Sequence, residues 1–95
     1  MRPYELMFIV RPEVEGGDLN VVVDRVKSLV TGGGGQVTEV NAWGRRQLAY
    51  PIHKIMEGQY FFVRAQLPAH ALGGLERDLR LTEQIVRYLI VRADE

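Results

Sequence analysis

The sequence predicts an α+β fold of the ferredoxin-like, split β-α-β kind: a four-stranded antiparallel sheet with two helices on one face. Three observations lead there. Hydrophobic periodicity changes along the chain in the order strand, helix, strand, strand, helix, strand. Glycine and proline punctuate the changes, at Pro12, Gly32 to Gly35, Gly58 and Pro68. Right-handed crossovers then put the first and third strands at the centre and the second at an edge, where Pro51, which cannot donate to a ladder, is tolerated. At 95 residues the chain is expected to form one domain, residues 1–95, around one core.

Tyr4 to Val10 sets Tyr4, Leu6, Phe8 and Val10 against Glu5, Met7 and Ile9, a strand apolar on both faces and therefore central. Pro12 ends it. Asp18 is placed to cap a helix, and Leu19, Val22, Val23, Val26, Leu29 and Val30 follow as one apolar stripe that carries the helix to about Thr31. Gly32 to Gly35 stop it. That run is no phosphate loop, because it follows a helix and lacks the Lys-Ser/Thr ending that grips phosphate and magnesium. Gln36 to about Tyr50 is the second strand, bent or bulged at Gly44. Ile52 to Glu57 covers the turn and Gly58 closes it.

Gln59 to Leu67 is the third strand, with Phe61, Val63, Ala65 and Leu67 on one face and Tyr60, Phe62, Arg64 and Gln66 on the other. Leu72, Leu75 and Leu79 give the second helix a narrow apolar seam, weakened by Gly73 and Gly74 at about 1 kcal/mol each relative to alanine. Ile85 to Arg92 is the last strand, and Ala93, Asp94 and Glu95 form an end.

A hydrophobic content of 46% with 25% charge is that of a soluble globular protein, and the apolar runs fall far short of a membrane span. Met1 to Glu5 enters a strand pattern directly, with no signal-peptide pattern. The absence of cysteine excludes disulfides and thiolate metal sites. Catalytic constellations are missing: Ser28 is the only serine, and His53 and His70, expected at the surface, lack a partner motif. The carboxylates Glu13, Glu15, Asp18 and Asp24 sit near turns and helix starts, where capping and solvation account for them. No enzyme, cofactor, metal or small-molecule substrate is expected.

Twelve basic and twelve acidic residues give a formal net charge of zero, which argues against a chain that coats nucleic acid alone. Between Glu39 and Glu57, however, there is no acidic residue, while Arg45, Arg46 and Lys54 all fall there. Those three are candidates to meet phosphate, with Arg2 and Arg92 near strand ends as weaker ones. Arginine suits bidentate phosphate recognition.

On the helix-free face, alternation places Glu5, Met7 and Ile9, then Tyr60, Phe62, Arg64 and Gln66, then Arg87, Leu89 and Val91. This is a large apolar stripe rimmed with arginine, and such patches are usually interfaces. The alternative is that neighbours and the long hairpin cover its rings. Two uses compete. Tyr60 and Phe62 sit where an RNA-recognition motif stacks bases, but the Gly-Phe-rich motif around them is missing. A protein partner suits the aliphatic residues better, so Met7, Ile9, Tyr60, Phe62, Arg64, Arg87, Leu89 and Val91 are its expected contacts. A one-residue register error would turn every one of them around.

Arg2-Pro3-Tyr4-Glu5 at the start, Trp43-Gly44-Arg45-Arg46-Gln47-Leu48-Ala49-Tyr50-Pro51-Ile52-His53-Lys54 in the middle and Ile85 to Arg92 at the end closely resemble the family of the sixth protein of the bacterial small ribosomal subunit. The likeness spans essentially the whole chain. It implies a cytoplasmic, non-catalytic ribosomal protein that pairs with ribosomal small-subunit protein eighteen and binds with it to the central domain of small-subunit rRNA. The charged C-terminal extension of some family members does not follow Glu95 here, so nothing that depends on it is carried over. A small-molecule-binding regulatory domain of the same topology is the alternative.

Overall fold

The computed structural model describes residues 1–52 and 54–93. The chain runs through β1 (Arg2–Val10), α1 (Gly16–Gly32), β2 (Gln36–Ile52), β3 (Ile55–Leu67), α2 (Leu72–Arg80) and β4 (Ile85–Arg92), with a 3-10 turn at Ala69–Ala71 leading into α2. The strands form one antiparallel sheet in the order β2-β3-β1-β4. β1 and β3 are central and β2 is an edge, as the crossover argument requires.

One side of the sheet is sealed. Tyr4, Leu6, Phe8 and Val10 of β1 and Phe61, Val63, Ala65 and Leu67 of β3 form a cluster with Val22, Val26 and Val30 of α1 and Leu75 and Leu79 of α2. The helical spacings of four turn one stripe of each helix onto the period-two face of the strands. Phe8 and Phe61 stack at its centre, with centroids 5.2 Å apart and planes 15° apart.

Several boundaries differ from the sequence expectation. The cap of α1 is Glu15, in extended conformation without a side-chain cap bond. Asp18 instead occupies the first turn, where its carboxylate complements the helix dipole. The β2–β3 hairpin is longer than expected: Ile52 pairs with Ile55, and Lys54, ahead of Ile55, has φ 66°. Gly58 does not close a turn. It lies buried inside β3, where a Cβ would stand 2.4 Å from Ile9 Cγ2 and 3.0 Å from the Val10 carbonyl oxygen, so glycine permits the close approach of β1. The expectations for His53 and for the end at Asp94 and Glu95 lie outside the described residues.

The bulge expected at Gly44 is present. Gly44 has φ 81°, and the register shifts between Ala42 and Gly44. In an unbulged ladder the alternation from Ala42 would bring Arg45 to the open face. The extra residue reverses this: Arg45 stands opposite Gln59 on the helix side, and Arg46 opposite Gly58 on the open side.

Candidate functional site

The open face is divided into three rows that cross the strands. Glu39, Arg64, Glu5 and Val91 form one row; Asn41, Phe62, Met7 and Leu89 form the next; Gly44, Tyr60, Ile9 and Arg87 form the third. The rows differ in what covers them.

The third row is partly covered by the chain's own arm: Ile9 is buried and Tyr60 half-buried, while Gly44 and Arg87 stay exposed. Gln47 pairs with Glu57 and the next pair is Ile52 with Ile55, so Leu48, Ala49, Tyr50 and Pro51 stand against Met56 alone. The surplus forms a strap over the sheet. Leu48, Ala49, Tyr50 and Ile52 enclose a cavity of about 100 Å³ with Met7, Ile9, Tyr60 and Arg87. Arg87 Nη1 donates a hydrogen bond to the Tyr50 hydroxyl, and the guanidinium lies 5.8 Å from the Tyr50 ring centroid. Ile9, expected among the exposed contacts, points to this face but is only 3% exposed, because the strap and the close approach at Gly58 bury it. The alternative reading of the face, cover by the hairpin, therefore holds for this row.

The middle row is half-open: Asn41, Phe62 and Met7 are half-buried, Met7 at the margin of the strap, and Leu89 is exposed. Trp43 stacks on Phe62 with centroids 5.6 Å apart and planes 2° apart, yet Trp43 remains 47% exposed. Guanidinium groups lie over both rings, Arg46 at 5.8 Å from the Trp43 centroid and Arg64 at 6.0 Å from that of Phe62. Leu89, at 51% exposure, ends the row on β4. In the first row, Arg64 Nη2 pairs with Glu5 Oε2 at 3.0 Å and Asn41 Nδ2 donates to Glu39 Oε2.

Trp43 was missed as a site residue. Alternation from Asn41 places Trp43 on the open face, but the sequence expectation assigned no residue of the second strand to either face.

The structure separates the basic candidates. Arg45 points to the helix side, where Nη1 meets Glu57 Oε1 at 2.9 Å, and Nη2 meets Glu15 Oε1 at 3.7 Å and donates to the Pro12 carbonyl at 2.9 Å. The stretch that looked free of acidic residues is thus partly neutralised, by a carboxylate across the ladder and another from the loop before α1. Arg46 lies on the open face against Trp43, and Lys54 is exposed in the hairpin turn. Arg2 opposes Leu67 and Arg92 opposes Tyr4, which sets both at the end of the sheet away from the hairpin tip.

On the helix side, Ser28, His70 and Asp78 line an open cleft of about 530 Å³ between α1 and α2. Among the described residues no hydrogen bond links these three side chains, and no group of three His, Cys, Asp or Glu side chains is placed to hold a metal ion. No described helix is long and apolar enough to cross a membrane.

Residues 3–92 match the family model described as ribosomal protein S6. The chain belongs to the ribosomal protein S6 family. It is 39% identical over 95 residues to the small ribosomal subunit protein bS6 of Moorella thermoacetica, covering all of this chain and 97% of that one. Identity to the bS6 of Desulforamulus reducens is also 39%, with both chains fully covered. The crystal structure of the 30S ribosomal protein S6 from Thermotoga maritima matches with a TM-score of 0.90 and 34% identity over 96% of this chain and 86% of that one. The C-terminal domain of the MgtC protein from Mycobacterium tuberculosis shares the fold alone, at a TM-score of 0.69 and 11% identity over all of this chain and 90% of that one. Membership in the S6 family makes the molecule a protein of the cytoplasmic small ribosomal subunit.

Proposed function

We propose that this S6-family chain is a non-catalytic assembly protein, a single domain that binds the central domain of small-subunit rRNA cooperatively with ribosomal small-subunit protein eighteen. The open sheet face meets the protein partner through Met7, Tyr60, Phe62, Arg64, Arg87, Leu89 and Val91, while the β2–β3 arm meets RNA. The observation that carries the reading is the half-open row beside the strap: Phe62 already has an indole and a guanidinium as neighbours, so a base would have to displace one of them. Apolar protein contact requires no such exchange. Phosphate contact falls first to Lys54 at the tip and to the outward donors of Arg46. Arg45 must leave Glu57 to contribute, and Arg2 and Arg92 stand at the far end of the sheet.

A chain of zero formal charge binds polyanionic RNA weakly alone and gains from a basic partner that supplies the field. The test is a titration of labelled central-domain rRNA with this protein, with protein eighteen, and with both. Tightening only in the mixture is expected. Tight binding by this protein alone would restore base stacking, and no binding in any mixture would overturn the proposal.

A further inference from the structure

The base of the β2–β3 arm is tied to the loop before α1. Arg45 and Gln59 stand opposite each other on β2 and β3, on the helix side of the sheet. Arg45 Nη2 donates to the Pro12 carbonyl at 2.9 Å, and Gln59 Nε2 donates to the Val14 carbonyl at 2.7 Å. Two side chains paired across the ladder thus grip two carbonyls that lie two residues apart in one loop. Glu57 and Glu15 hold the same guanidinium, at 2.9 and 3.7 Å. The loop is anchored in turn to the connection between α2 and β4, where Arg11 donates through its backbone N–H to the Gln84 carbonyl and through Nε to that of Glu83.

We infer that Arg45 and Gln59 are positioning residues for RNA binding, a two-point clamp that pre-sets the direction of the arm and so where Lys54 and Arg46 stand, an inference that rests on the RNA contact proposed above for the arm. Beyond the bulge at Gly44 the arm is a two-stranded ribbon, which is marginally stable by itself, and a bulge is where a strand bends. Such a ribbon needs bracing on both sides. The strap braces the open side through Tyr50 and Arg87, and the clamp braces the helix side. The bulge itself turns Arg45 toward the loop, so the feature that lets the arm bend also delivers the side chain that limits the bending. Exposed ion pairs add little to folding, and Gln59 is uncharged, half-buried and already bonded, so neither residue is explained by stability or by direct phosphate contact. An arm held in its bound direction beforehand spares the complex the cost of ordering it.

The chain has no cysteine, so Asn20→Cys on α1 and Met56→Cys on the arm, both at exposed positions, provide a unique pair of spin-label sites. The distance distribution between the labels is measured in the free chain and in its complex with protein eighteen and central-domain rRNA, for this chain and for its Gln59→Leu and Arg45→Gln versions, each shown by urea unfolding to be folded. The chain with the clamp intact is expected to give one narrow distribution that binding leaves in place. Gln59→Leu and Arg45→Gln should broaden it in the free chain and recover it in the complex. RNA affinity should fall about fivefold in each, as when the competent direction drops to about one fifth of the population. The slope of affinity against salt should stay the same, because every phosphate contact is still made once bound. A residue that only stabilises the fold would not separate affinity from slope in this way. Distributions that stay narrow in both variants would overturn the clamp. Broadening with unchanged affinity would overturn the positioning role, and a lower salt slope at either variant would replace it with direct phosphate contact. Failure of the chain with its clamp intact to bind rRNA beside protein eighteen would overturn the functional reading and the positioning role together, while the label distances in the free chain still decide the clamp.

Discussion

Phe61 and Phe62 are neighbours in sequence, and each is stacked on another ring, yet the two stacks do different work. Phe61 lies against Phe8 in the sealed core, at 6% exposure. Phe62 lies against Trp43 on the open face, where the indole keeps nearly half its surface in water. Folding alone explains the first, because burying two rings is among the largest favourable contributions a small domain can make. The second leaves apolar surface in water, so it contributes less to folding and remains available to the partner proposed above.

The sharpest way to break this comparison is to truncate one ring from each stack. Phe8→Ala is expected to cost about 3–5 kcal/mol in urea unfolding, since it opens a cavity that the surrounding side chains cannot fill. Gly58→Ala should follow at about 1–3 kcal/mol, because the new methyl collides with Ile9 Cγ2 and the Val10 carbonyl. Phe62→Ala should cost at most about 1.5 kcal/mol of stability, while weakening the proposed association with protein eighteen by about 30-fold. Equal stability losses at Phe8 and Phe62 would erase the distinction between the faces. Smallest is Arg45→Gln, expected to change stability by less than about 1 kcal/mol because its ion pairs are solvent-exposed. The same substitution should leave the salt dependence of RNA binding nearly unchanged, whereas Lys54→Gln should lower its slope by about 1. A large slope change at Arg45 would show that it abandons Glu57 for phosphate.

The face each central-strand residue occupies was legible in the sequence, because β1 and β3 alternate without interruption and a period of two admits only two answers. The strand order was legible too, from crossover handedness and from Pro51. What escaped depends on register in β2. The surplus of residues 48–51 over Met56 becomes visible only when both strands of the arm are aligned, so neither the strap nor the burial of Ile9 could be read from alternation. Arg45 looked free because its carboxylate partners, Glu57 and Glu15, are brought to it by a ladder and a loop. Gly58 reads as a turn residue in the sequence because glycine signals both sharp turns and close backbone approach, and only the neighbouring strand distinguishes them.

The bulge at Gly44 has a consequence for how firmly the arm's charge is fixed. Were the ladder to straighten there, Arg45 and Arg46 would exchange sides, yet each side would still receive an arginine, because the two positions hold the same residue. A doublet of this kind makes the charge on either surface indifferent to the parity of the strand. The doublet therefore keeps an arginine on either surface whichever side of the bulge sets the alternation.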